Sequence, residues 1–218
     1  MIKPMTTATR PLRADAERNR RLLLDAAAEV FSEQGLDAST AEIARRAGVG
    51  QGTVFRRFPT KEHLIAALVV DRIGELESKA RALLLHPPAD GSVLAFMRES
   101  VQQHLRDRGL VEAVIGTAVI ADPGVQEAHG LLLDVIEELI ELDRRAGLLR
   151  DDIGAFDVMA LSKAVTSACD QFVNLASWKR YLAVVAAGLR PAADKLPGRS
   201  PSRTQIDRAL ADLGRPSS

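Results

Sequence analysis

Apolar residues recur along this chain at three- and four-residue spacing, the period of one face of an α-helix, almost without interruption. From Glu17 to Glu33, Leu22, Leu23, Ala26, Ala27, Val30 and Phe31 make one apolar face, with Arg18, Arg21, Asp25 and Glu29 largely opposite. Gly35 ends that helix, because glycine enters left-handed geometry without a Cβ penalty. Ser39 or Thr40 can cap a short helix running through Arg46, with Ile43, Ala44 and Ala47 inward, before Gly48-Val49-Gly50 turns the chain. A second short helix spans Gln51 to Phe58. Pro59 closes it, since proline has no N–H to donate and disfavours helical geometry in the residue before it. Thr60 caps again, and Lys61 to Leu85 reads as one long amphipathic helix carrying Leu64, Ile65, Leu68, Val69, Ile73, Leu76 and Leu83.

His86-Pro87-Pro88-Ala89-Asp90-Gly91 interrupts the pattern. Beyond it the spacing predicts helices at about Ser92 to Arg108, Leu110 to Ile120 and Pro123 to Ala146, the last capped by Asp122 and stopped at Gly147. Two more follow, near Ala155 to Ala176 and Trp178 to Leu189. No stretch shows strict two-residue alternation or an Asn-Gly hairpin signal, so the class is all-α. Four parts are expected: a flexible basic arm at 1–16 with Lys3, Arg10 and Arg13, a small helical unit at 17–60, a helical body at 61–190, and a mostly flexible tail at 191–218. The tail is rich in Pro, Gly, Ser and Arg and holds one short helical pattern, Thr204 to Leu213.

With 218 residues, 46% of them hydrophobic and 27% charged, the chain can bury a sizeable core. Its single cysteine, Cys169, lies among Val165, Ala168, Phe172 and Val173, where a thiol behaves as a small buried hydrophobe. No apolar run approaches the ~20 residues that span a bilayer, and Met1 to Arg13 lacks the apolar centre of a signal peptide. A reducing cytoplasm and no membrane association are therefore expected. The formal net charge is zero, yet residues 1–60 hold 10 basic and 7 acidic side chains, residues 61–196 hold 15 and 20, and residues 197–218 hold 4 and 2. A basic front and an acidic body suit a protein that meets polyanion at one end.

The informative segment is Ser39 to Lys61, STAEIARRAGVGQGTVFRRFPTK. Two short helices joined by Ala47-Gly48-Val49-Gly50 behind a longer one describe a helix-turn-helix unit. Ile43, Ala44, Ala47, Val49, Val54 and Phe58 have to close a small core so that the second short helix projects its first turn. Small Gly50 and Gly52 let a backbone approach a duplex, Gln51 can hydrogen-bond a base edge, and Thr53, Arg56, Arg57 and Lys61 can reach phosphates. Arg18, Arg20 and Arg21 can reach phosphate or simply be solvated.

At these residues the chain resembles the TetR-type transcriptional regulators. The resemblance covers roughly 17–65: F-x-x-x-G at Phe31 to Gly35, T-x-x-x-I-A read as Ser39 to Ala44, and A-G-V-x-x-G-T-x-F-x-x-F-P-x-K-E at Ala47 to Glu62. The body agrees only in outline, with a G-L-L-R-x-D stretch at Gly147 to Asp152 and Gly188 in the closing helix. The resemblance implies a three-helix DNA-binding unit with a helix-turn-helix, followed by a larger helical domain for effector binding and dimerisation. It further implies a homodimer whose second short helices read a palindromic double-stranded operator. Thr40 falls at a phosphate-contacting position, Gln51 and Gly52 at base-facing ones, and Thr53, Phe55, Arg57 and Lys61 at backbone-contacting ones. Many members carry tyrosine where this chain has Phe55, whose ring can pack on sugar-phosphate but donates no hydroxyl; Arg56 and Arg57 can compensate.

In the body, Met97, Val101, Ile115, Val119, Val135, Leu139, Met159 and Phe172 can line a cavity for an unknown small-molecule effector, or be plain core. Lys163, Thr166, Ser167, Asp170 and Asn174 form a polar stripe that reads first as a solvated face. Leu161, Val165, Tyr181, Leu182, Val185 and Leu189 on the last two helices are expected at a dimer interface. His63, His86, His104 and His129 share no i, i+4 pair and are expected on the surface or in loops, so neither a metal site nor a catalytic constellation is expected, and no cofactor. A ligand-responsive repressor is the leading reading. The alternative is a helical adaptor that binds protein through its front unit, against which the phosphate-reaching residues weigh.

Overall fold

The computed structural model of the chain describes residues 9–35, 37–107, 110, 118–171 and 177–205. Among them every regular element is helical: α1 (Thr9–Gln34), α2 (Thr40–Arg46), α3 (Gln51–Arg57), α4 (Lys61–Leu85), α5 (Ser92–Arg106), a 3-10 turn (Ala118–Ala121), α6 (Pro123–Arg145), α7 (Ala155–Gln171) and α8 (Trp178–Leu189). One apolar core runs from Leu23 on α1 to Leu189 on α8. α4 packs most extensively along α6 and also against α1 and α5, while α7 packs on α5, α6 and α8. α1 to α3 therefore form a small unit seated on the front of α4, and the remaining helices form the body.

Local chemistry sets the helix boundaries. Gly35 has φ 73°, and its N–H donates to Phe31 O, the left-handed stop expected for α1. The Ser39 hydroxyl accepts from Glu42 N, the Thr60 hydroxyl from His63 N, and Asp122 from Gly124 N and Val125 N, with Pro123 in the first turn of α6. α5 begins differently. Gly91, at φ 105°, offers no side chain, and the buried Asp143 of α6 accepts from Ser92 N at 2.9 Å and Val93 N at 2.8 Å instead. A Cβ at Gly91 would stand 3.0 Å from Asp143 Oδ2, so the glycine serves both the backbone angle and this approach.

Several boundaries differ from the sequence reading. α1 starts at Thr9, eight residues before its apolar face does, so the second half of the expected arm is helical. Of the helix expected at Leu110 to Ile120, residues 111–117 lie outside the described residues and the end is a 3-10 turn at Ala118–Ala121. The expected extension of α7 to Ala176 and the helix pattern beyond residue 205 also lie outside them.

The tail to residue 205 makes several hydrogen bonds to the body. Arg150, in the G-L-L-R-x-D stretch, holds Asp152 through two hydrogen bonds and donates to Gly188 O at 3.2 Å and Asp194 O at 2.8 Å. Leu196 N donates to Asp152 Oδ2, Lys195 pairs with Asp151, and Arg203 reaches Gly130 O and Asp134 on α6. The Arg150 guanidinium and the Leu196 amide hold the Asp152 carboxyl well below the usual carboxylate range. The bonds of Arg150 to Asp194, Lys195 to Asp151 and Leu196 to Asp152 join residues 44 positions apart in the chain.

Removing the Asp143 carboxylate leaves two amides at the start of α5 without acceptors in a dry setting. Asp143→Ala is expected to lower folding stability by about 1–3 kcal/mol, and Asp143→Asn by less because it keeps one acceptor oxygen. Urea denaturation of the three proteins checks the order.

Candidate nucleic-acid interface and cavity

The turn between α2 and α3 is built from backbone. Ala47 N donates to Ile43 O, Gly48 N to Arg45 O, and Val49 N to Ala44 O, with Gly48 at φ 68°. Gly50 stands in extended geometry at φ −69°, ψ 143°, where its carbonyl accepts from Thr53 N at 2.8 Å and starts α3. Ile43, Ala44, Val54 and Phe58 are buried, and Ala47 and Val49 pack against them partly covered. Phe58, in extended geometry before Pro59, ends α3 and turns its ring inward. The core faces of α2 and α3 leave the opposite face of α3 bare.

That bare face carries Gln51, Gly52, Phe55, Arg56 and Arg57, all exposed, with Phe55 at 47%. Thr53 and Lys61 are half-buried beside it, and Thr40 is half-buried at the start of α2. Beyond the adjoining residues and backbone of its own helix, no atom lies within 4 Å of the position a Cβ would take on Gly52, so the surface there is open to a close approach. The structure thus brings the eight residues selected from sequence onto and around two short helices.

Ion pairing sorts the cations of this unit. Arg45 forms a two-pronged pair with Glu42 at 2.6 and 2.9 Å, and Arg46 binds Glu33 at 2.7 Å with Glu29 and Glu42 nearby. These arginines hold the Glu33 and Glu42 carboxyls below their ordinary range. Arg56 lies back along its own helix, donating to Gly52 O at 3.2 Å and Thr53 Oγ1 at 3.3 Å. Among the described residues Arg57 and Lys61, like Arg18 on α1, make no ion pair, so Arg57 and Lys61 leave their charges available beside α3. Arg20 and Arg21 are directed elsewhere, to Asp71 at 3.8 Å and Glu75 at 3.6 Å on α4.

A cavity of about 590 Å³ lies in the body among α4, α5, α6 and α7. Val69, Ile73, Leu76, Ile120, Val125, Leu132, Phe156 and Met159 supply an apolar wall, interrupted by Arg72, Gln103, His104, Asp107, His129 and Lys163. Of the residues selected from sequence, Met159 lines it. Met97, Val101, Val135 and Leu139 have no exposed surface, Val119 is buried outside the lining, and Ile115 and Phe172 lie outside the described residues. Burial pushes the His129 imidazole below its usual value, with the Arg203 charge adding to it, and burial pushes Asp107 up. Two histidines expected on the surface or in loops, His104 and His129, therefore face this cavity from helices. The Lys163 Nζ lies 3.1 Å from His104 Nε2, and Thr166 is buried and donates to Lys163 O, so this part of the stripe expected to be solvated faces inward. The signal available in the sequence was the charged residues breaking apolar faces at Arg72, Asp107 and Lys163.

Of the helices expected to meet a partner copy, Val165, Leu182 and Leu189 are buried within their own protomer, and Leu161, Tyr181 and Val185 are partly covered. The exposed apolar positions there are Ala164 on α7 and Ala183, Val184 and Ala187 on α8, besides Phe156 and Ala160, which line the cavity. Among the described residues no helix is long and apolar enough to cross a membrane.

A compact helix-turn-helix that holds its second short helix outward on a larger helical body is the architecture of a regulator of gene expression. Residues 23–68 match the family of bacterial regulatory proteins, tetR family, and residues 88–191 match the SbtR-like transcriptional regulator C-terminal domain. A crystal structure of a TetR transcription regulatory protein from Mycobacterium vanbaalenii is 35% identical, with TM-score 0.64, and the match covers 83% of this chain and 99% of that one. The regulator SrpR of Pseudomonas putida is 43% identical over 65 residues, 29% of this chain and 30% of SrpR. The repressor KstR of Mycobacterium tuberculosis is 28% identical over 144 residues, 65% of this chain and 64% of KstR. The matches thus span less than two thirds of either curated relative. The chain belongs to the TetR family.

Gly48 is held at positive φ in open space, so a methyl group there meets only the backbone penalty. Gly48→Ala is expected to lower stability by about 1 kcal/mol, read as a drop in melting temperature of roughly 2–4 °C.

Proposed function

We propose that this chain is a ligand-responsive transcriptional repressor that binds an inverted-repeat operator as a homodimer in the cytoplasm. The observation that carries the reading is the exposed face of α3. With the residues flanking that helix, it combines two glycines that admit a backbone, a glutamine that can read a base edge, and the charges of Arg57 and, at the start of α4, Lys61. Residues 17–60 act as the reading unit and 61–190 as the effector-binding and dimerising body. KstR, described as a repressor, supports the direction of control.

In the duplex, α3 enters the major groove with Gln51 toward a base edge, and Gly50 and Gly52 allow the helix to seat closely. Thr40, Thr53, Arg57 and Lys61 contact phosphates, and the Phe55 ring packs on the sugar-phosphate backbone. Arg56 has to leave Gly52 O and Thr53 to reach a phosphate, an exchange of one hydrogen-bonded partner for another that a duplex can drive. The effector enters the cavity among α4, α5, α6 and α7, whose apolar wall suits a mostly apolar molecule. Dimer contact falls on the exposed faces of α7 and α8, because the inward-turned residues of those helices are already used by their own protomer.

Gln51→Ala is expected to relax sequence preference, with about 1–3 kcal/mol lost at the contacted base. Lys61→Ala should weaken all duplexes alike and reduce the log–log salt slope by about 0.9. Duplexes selected from a random pool and titrated at several salt concentrations check both. Unchanged affinity in both variants means that α3 is not the reading helix. In sedimentation, the wild-type chain should run at twice 23.5 kDa and Val184→Glu should shift toward the monomer. A wild-type monomer at micromolar concentration excludes the dimer.

A further inference from the structure

We propose that Glu75 couples the cavity to the helix-turn-helix unit: its carboxylate is shared between Arg72 on the cavity wall and Arg21 on α1, so cavity occupancy acts on α1 by changing which arginine holds it. This inference rests on the cavity being the effector site and concerns how its state is passed on.

One oxygen, Glu75 Oε1, receives both cations. Arg72 Nη1 donates to it at 2.9 Å, and Arg21 Nη2 stands 3.6 Å away, an ion pair with room to shorten into a hydrogen bond. Arg72 has a second carboxylate within reach, Asp107 at the end of α5, with Nε 3.6 Å from Oδ2. That Nε is buried and lacks a hydrogen-bond partner among the described residues. Arg72 is thus poised between a carboxylate that faces α1 and one that does not. Both Arg72 and Asp107 line the cavity, whereas Glu75 and Arg21 do not. The backbone at this point is held, since Gln103 Nε2 donates to Arg72 O at 2.6 Å and ties α4 to α5. Movement therefore falls on the Arg72 side chain, and Arg72 is part of the wall a ligand would press on.

The sign follows from the geometry. A molecule that drives the Arg72 guanidinium toward Asp107 frees Glu75 Oε1 for Arg21, and the α1–α4 contact tightens beside the neighbouring Arg20–Asp71 pair. A molecule that drives it toward Glu75 loosens the contact. α1 packs on α2, which packs on α3, so either change reaches the exposed helix through packed elements. The Arg21 side chain is 64% exposed, and an ion pair so open to solvent is individually weak, which suits a contact meant to be exchanged.

Hydrogen exchange of the free, full-length protein tests this without any duplex or ligand, so a failure of the DNA-binding reading leaves the measurement intact. Arg72→Met releases Glu75 to Arg21 and should slow amide exchange in the middle of α1 by about two- to five-fold. The same substitution in a Glu75→Gln background should leave α1 unchanged, and Arg72→Lys, which keeps a cation, should resemble the wild type. If Arg72→Met fails to fold, Arg21→Ala reads the pair from the other side. It should alter exchange around Arg72 when Glu75 is present and have no such effect with Glu75→Gln, because coupling is reciprocal. Equal effects in both Glu75 backgrounds, or no effect of Arg72→Met or Arg21→Ala in the wild-type background, overturn the proposal.

Discussion

Burial of α4 along its length is the constraint on which the rest of the molecule depends. Its first turns place Leu64, Ile65 and Leu68 in the common core, Ile73 and Ala80 continue that burial, and α6 packs along it. A fully buried leucine or isoleucine contributes about 1.5–3 kcal/mol, so α4 cannot turn about its axis without exposing groups that hold the fold together. The same helix carries Asp71 and Glu75 toward α1 and Val69, Arg72, Ile73 and Leu76 toward the cavity. The front unit and the cavity thus share one wall, and Phe58, Pro59 and Thr60 alone join α3 to it.

Charge in the front unit is used mostly for internal bracing. Arg45 and Arg46 are paired with Glu42, Glu33 and Glu29, and Arg20 and Arg21 face the acids of α4. Among the described residues of the front unit, four arginines are thus tied to carboxylates of the chain itself. Arg57 and Lys61 make no ion pair among the described residues, which leaves a small number of cations at fixed places around α3. Such placement positions a duplex, where a diffuse patch would only attract one.

The body combines a closed core with an open cavity, and the two draw on different residues of the same helices. α5 turns Phe96, Met97 and Val101 into the dry core and Gln103, His104 and Asp107 into the cavity. Asp143 and Arg150 fix the ends of this arrangement. Asp143 caps α5 from α6, and Arg150 ties the end of α8 and the tail to the Gly147–Asp152 stretch.

The helices and their ends were readable from the sequence wherever the determining groups lie within a few residues. Lys61–Leu85 and Trp178–Leu189 follow from apolar spacing, and Ser39, Thr60, Asp122 and Gly35 mark ends because a cap bonds its own first or last turn. The exposed set on α3 was readable for the same reason: a seven-residue helix whose Val54, with the adjoining Phe58, is buried has little choice about what faces out. What the tertiary structure alone decided involves partners far apart in the chain. Apolar periodicity shows which face of a helix is buried but cannot say whether that face meets packed side chains or empty space, so Met97 and Val135 went to the core while Arg72 and Lys163 came to the cavity. Likewise, spacing cannot tell a face buried by its own protomer from one left exposed, as Val165 and Ala164 on successive positions of α7 illustrate. Asp143 capping a helix 51 residues away, and Arg20 and Arg21 reaching Asp71 and Glu75, depend on how helices cross, which single-helix periodicity does not contain.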